Sequence, residues 1–156
     1  MAEVIKESIE VEVPVSTTYN QWTQFEQFPQ FMENVDAVEQ IDDTHLKWVS
    51  EIGGKKSEWI AEIVEQEPDK VVAWRSIDGK GVSGEVRFDP IGPEKTLIEV
   101  KMTWEPEGLL ETLGAKIGAD ELGVKKDLEN FKRLVESRGA ETGAWRGEVE
   151  EGQRVR

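Results

Sequence analysis

The chain has 156 residues, 33 acidic against 19 basic side chains, a net charge of -14 and no cysteine. That length suits one domain with a core large enough to hold without staples, and the missing cysteines exclude a disulfide framework, a thiol nucleophile and a cysteine-ligated metal. So acidic a surface repels phosphate backbones and anionic lipid, which argues against nucleic-acid binding. No apolar run reaches the roughly 20 residues of a membrane span. The acidic, alternating start MAEVIKESIEVEVPV does not read as a signal peptide, and a cytoplasmic location is expected.

The first predicted strand is SIEVEVPV, with Ile9, Val11 and Val13 on one face. Ser16 then offers an N-cap for a short helix in which Tyr19, Trp22 and Phe25 share a stripe. Pro29 interrupts, so a second short helix is expected around QFPQFMEN. A meander follows. VDAVEQI is a weak strand; THLKWVSEI places Leu46, Trp48, Ser50 and Ile52 on one face. Gly53-Gly54 supplies a hairpin turn before KSEWIAEIVEQ, with Trp59, Ala61 and Ile63 inward. After Pro68-Asp69, VVAWRSI turns Val72, Trp74 and Ser76 inward, and VSGEVRF does the same for Gly84, Val86 and Phe88. Pro90 to Pro93 reads as the next turn, and TLIEVKMTW puts Ile98, Val100, Met102 and Trp104 on the apolar phase.

A long C-terminal helix closes the domain. Val124, Leu128, Phe131, Leu134 and Val135 fall at helical spacing, and Gly139 is a good stop. Its first half, around Leu109, Leu110, Leu113 and Ile117, is interrupted by Gly114, Gly118 and Gly123, which suits a bent segment or a mobile cover. Residues 140–156 lack apolar periodicity. They are expected to form a flexible acidic, glycine-rich tail with Trp145 as its one large anchor, which leaves residues 1–139 as the single domain.

Runs of strands with segregated helices make an α+β fold. A sheet of about seven antiparallel strands with one charged and one apolar face needs a cover, and the C-terminal helix is long enough to provide it. This order of elements, the segment YNQWTQFEQFPQFMENV, the runs DDTHLKWVSEIGG and EWIAEIVEQEPDKVVAWRS, and the helix DLENFKRLVESRG resemble the polyketide cyclase/dehydrase family. That family lies within the START-like, helix-grip (SRPBCC) superfamily. The resemblance spans roughly residues 3 to 139. It implies a helix-grip fold: a curved sheet wrapped around the long helix, two short helices after the first strand, and a cavity between sheet and helix. It does not choose among lipid carriers, coenzyme Q-binding proteins, hormone receptors and aromatase/cyclases.

The residues themselves point to binding more than to chemistry. The lone histidine, His45, falls on the charged phase, and a zinc site needs several His or Cys ligands. GKGVSG lies in a hairpin and is no phosphate loop. No cofactor is expected. Arg75 reads as half of a cross-strand ion pair. The carboxylates best placed for acid–base work, near the mouth of the cavity, are Glu26, Glu33, Glu105 and Glu107.

The inner face carries Trp48, Trp59, Trp74 and Trp104, joined by Trp22 from the helix pair, with small residues between the large rings. These five are the expected lining of a cavity for a small hydrophobic molecule, such as a lipid, quinone, isoprenoid or polyketide. Phe88, Met102, Leu113 and Ile117 complete the wall, and Ser50 and Ser76 are polar handles. An enzyme of the cyclase/dehydratase type is the alternative and requires a titratable group inside the cavity. A protein-interaction role through the groove or the segment around Trp145 is the third reading.

Overall fold

The alternation of apolar and charged residues is realised as one antiparallel sheet. A computed structural model describes residues 3–52, 55–77, 82–104 and 123–156. The strands are β1 (Glu3–Val11), β2 (Val35–Gln40), β3 (His45–Ile52), β4 (Lys55–Glu67), β5 (Val71–Ser76), β6 (Val82–Gly92) and β7 (Lys95–Trp104). Their order across the sheet is β1-β7-β6-β5-β4-β3-β2, so the first strand closes against the last of the meander. Helix α1 (Val15–Trp22) and a 3-10 helix (Phe25–Gln30) follow β1, and α2 (Val124–Arg138) follows the meander. This is the expected α+β arrangement of a curved sheet with a C-terminal helix.

The register explains which side chains meet. Ile9 faces Ile98, Val86 faces Val100, and Trp48 faces Trp59, all on the inner face. On the outer face Glu62 faces Arg75, and the two form a 2.9 Å ion pair. A bulge between Ile63 and Glu65 inserts one residue into β4 and flips its phase. Gln66 therefore turns inward and is buried, while Glu65 faces water.

Two local expectations differ. Helix α1 starts at Val15 after Pro14 with no side-chain cap, and the Ser16 hydroxyl donates instead to Asp69 Oδ2 at 3.2 Å. Strand β6 runs through Pro90 to Gly92, with a register shift there, so the turn lies after Gly92. A bulge is one of the few places where a strand accepts proline.

Helix α2 buries Val124, Leu128, Phe131 and Val135, and ends at Gly139 in the left-handed region (φ 67°), whose N–H reaches Val135 O. The glycine-rich first half of the expected helix, with Leu113, Ile117, Glu105 and Glu107, lies outside the described residues, as does the Gly53-Gly54 turn.

Residues 140–156, expected as a flexible tail, make specific contacts with the rest of the fold. The backbone N–H of Thr142 donates to Gln21 Oε1 (3.0 Å) and that of Trp145 to Thr23 Oγ1 (3.1 Å). Arg146 reaches Asn20 Oδ1 (2.7 Å) and pairs with Asp69 (2.9 Å). Strand β8 (Val149–Glu150) pairs with Glu65 and Gln66 on the side of β4 left open where β3 ends, and β9 (Gln153–Arg154) folds back on β8. Val149 is fully buried. This strap is held by side chain–backbone bonds to distant residues, which leave no periodic trace in sequence.

Candidate functional site

The inner face divides into two regions. At one end the short helices and α2 fill the space with rings: Trp22 lies 5.5 Å from Phe28, 5.8 Å from Phe31, 5.0 Å from Phe131 and 6.2 Å from Phe88. Phe88 also meets Tyr19 edge-on at 5.4 Å. Trp22 and Phe88, expected to line a cavity, are core residues here.

At the other end the tryptophans of adjacent strands lie side by side. Trp48 and Trp59 are 6.2 Å apart with planes 5° from parallel, and Trp48 and Trp74 are 5.8 Å apart at 24°. Trp74 pairs across the ladder with Gly84, and its ring occupies the space a side chain would take: a Cβ at Gly84 would lie 2.5 Å from the ring. The small residue read as a gap is thus the seat of the neighbouring indole.

Beside this row a cavity of about 70 Å³ remains. Of the expected residues Trp48, Ser50, Trp59, Trp74 and Met102 line it. Met32, Asn34 and Val35 enter from the connection into β2, Val82 from β6, and Val124 and Asp127 from the first turn of α2. Ser76 and Trp104 are buried but do not line it, and Leu113 and Ile117 lie outside the described residues. The indole N–H groups of Trp48 and Trp59 are buried without a hydrogen-bond partner. A larger hollow of about 420 Å³ lies on the outer face among Lys6, Glu85, Arg87 and Lys101, but charged side chains wall it and no aromatic ring converges there.

Asp127 is the residue that sequence reading missed. Its Oδ1 accepts the backbone N–H of Glu33 at 3.2 Å. Burial, opposed by that hydrogen bond and reinforced by the charge of Glu33, pushes its carboxyl up from 3.8 to about 7. A carboxyl in an apolar recess titrates high because the charged form loses its hydration. The signal was available: Asp127 stands three residues after Val124 and four before Phe131, at the border of the buried stripe of α2.

Of the carboxylates chosen from sequence, Glu26 and Glu33 do not line the cavity, and Glu105 and Glu107 lie outside the described residues. Glu26 is exposed and accepts from Gln40 N at 3.5 Å; Glu33 is exposed and contributes its backbone to Asp127. His45 sits on the outer face between Asp42 (2.9 Å) and Glu62 (3.8 Å). Among the described residues no group of three His, Cys, Asp or Glu side chains could hold a metal. No described helix is long and apolar enough to cross a membrane. Tyr19 is enclosed under Arg146, and burial raises its hydroxyl to about 12, which keeps it neutral. Gln66 lies near that hydroxyl outside hydrogen-bonding geometry, so both remain unpaired.

A family model described as "Polyketide cyclase / dehydrase and lipid transport" matches residues 11–133. An uncharacterised 17.2 kDa protein of Streptomyces lincolnensis is 47% identical over 146 residues, covering 93% of this chain and 97% of its own. A crystal structure from Deinococcus radiodurans is similar at a TM-score of 0.69 and 28% identity, covering 87% of this chain and 98% of that one. The fold is shared with a START superfamily protein of Mycobacterium smegmatis (TM-score 0.65, 15% identity, 86% and 95% coverage). It is shared also with the ZhuI aromatase/cyclase of a Streptomyces species (TM-score 0.67, 14% identity, 93% and 100% coverage). With its sheet order, its C-terminal helix and a family match over most of its length, the chain belongs to the polyketide cyclase/dehydrase and lipid transport family.

Proposed function

We propose that the protein binds a small hydrophobic molecule in the recess between the sheet and α2. The observation that carries this reading is the cavity walled by Trp48, Trp59 and Trp74 and bordered by Met32, Met102 and Val82. A lining of aromatic and aliphatic surface with a few polar groups suits such ligands. At about 70 Å³ the space admits little more than a single ring. A longer ligand requires Met32 and Met102 to swing aside, which unbranched thioether side chains do at low cost. Membership of a family described by cyclase, dehydrase and lipid transport supports the same reading. Native mass spectrometry of freshly purified protein tests it. The expected result is an excess mass that disappears on organic extraction. Protein that carries no excess mass, and gains none when incubated with quinone, isoprenoid and polyketide-like compounds, overturns it.

A second reading, a cyclase or dehydratase, is favoured by one observation. Asp127 lines the cavity and titrates near 7, so it can give or take a proton at neutral pH. Turnover of a polyketide-like chain that is lost in Asp127→Asn, with ligand binding retained, separates catalysis from carriage.

A further inference from the structure

Two of the rings that line the cavity, Trp48 and Trp59, carry indole N–H groups that are buried and unpaired. Orphan donors inside a protein are uncommon and call for an acceptor. Asp127 stands at the same cavity with the backbone and charge of Glu33 against it, and no lysine or arginine lines the space among the described residues. A carboxylate or phosphate entering here would meet a like charge and, among the described residues, no cation. A purely hydrocarbon ligand would leave both indole donors unsatisfied.

We propose that the ligand is an uncharged molecule whose apolar body lies against Trp48, Trp59 and Trp74, and whose hydroxyl or carbonyl oxygen accepts a hydrogen bond from the indole N–H of Trp48 or Trp59, while Asp127 turns anions away. This inference rests on the cavity being a binding site. It separates alcohols, phenols and ketones from fatty acids, which an apolar lining alone would admit. A hydroxyl also donates, so it can satisfy an indole N–H and the Asp127 carboxylate together, whereas a carbonyl satisfies only the indole.

The test is a proton–nitrogen correlation spectrum of the full chain at pH 8, where Asp127 is ionised, titrated with toluene, phenol and benzoate. These probes are small enough for the cavity and differ in the property at issue. The indole signals are assigned with Trp48→Phe and Trp59→Phe, and the Met32 and Met102 methyl signals report entry. Phenol is expected to shift the Trp48 or Trp59 N–H signal downfield and to half-saturate at a concentration at least about tenfold below benzoate. Toluene is expected to move the methyl signals without that downfield shift. In Asp127→Asn the preference for phenol over benzoate is expected to shrink below about threefold. Benzoate binding as tightly as phenol, phenol entering without moving either indole signal, or the preference surviving in full in Asp127→Asn each overturns the inference and leaves the binding site standing. If none of the three moves the tryptophan or methionine signals, the binding reading fails and this inference with it. Should Asp127→Asn not fold, the comparison of phenol with benzoate in the native chain still decides.

Discussion

Asp127 shows how one residue carries pH dependence. Its folded-state value, about 7, lies above the ordinary 3.8, so between those values the folded protein holds a proton that the unfolded chain has released. Stability from this group is therefore complete below about pH 4 and is lost as the pH rises through about 7. Asp127→Asn keeps an oxygen for the Glu33 N–H and removes the charge. Its melting temperature is expected to match the native protein near pH 4 and to exceed it at pH 8 by at least about 2–4 °C, the shift that roughly 1 kcal/mol produces at this size. Thermal melts across that range check it, and equal differences at both pH values would contradict it. Gly84 is the second telling residue. A methyl there would meet Trp74 at 2.5 Å and Met102 Sδ at 2.8 Å. Gly84→Ala is expected to destabilise by about 1–3 kcal/mol, the usual cost of overpacking, as read from the urea midpoint, and to alter the shape of the cavity.

At the scale of elements, the strap and the β4 bulge depend on each other. The bulge turns Gln66 inward, the pairing of β4 with β3 reaches only to Glu62, and β8 docks on the edge beyond it. Val149 is the buried residue of that strand. Val149→Ala removes two methylene equivalents from a closed site and is expected to cost about 1.5–3 kcal/mol; an unchanged urea midpoint would mean that the strap contributes nothing. Arg146 and Asp69 make an exposed pair, worth no more than about 1 kcal/mol. Trp145 is spent on its own chain, with Arg154 over its ring at 5.4 Å, which weakens the reading of this segment as a free docking arm. Periodicity exposed strands β1 to β7 and helix α2, because each must bury one face. It could not expose β8, two residues long, whose partner lies more than eighty positions away.

For the whole molecule, charge is the dominant external property. With 33 acidic and 19 basic residues, mutual repulsion opposes the compact state, while surface pairs such as Lys47–Glu58 at 3.6 Å return little. Raising NaCl from about 0.02 M to 0.5 M shortens the screening length several-fold. It is expected to raise the melting temperature; a fall would mean that ion pairs outweigh repulsion. The alternation of side chains along each strand, the spacing along α2 and the balance of charge are local or additive properties. From them the sequence alone determined an antiparallel sheet with one apolar face, a covering helix and an acidic exterior. Only the tertiary structure decided that Trp22 and Phe88 pack solid while Trp48, Trp59 and Trp74 border a cavity, that Gly84 seats an indole, and that Asp127 is the carboxyl beside it. Those outcomes depend on distances between elements far apart in the chain, and neither period two nor period 3.6 encodes such distances.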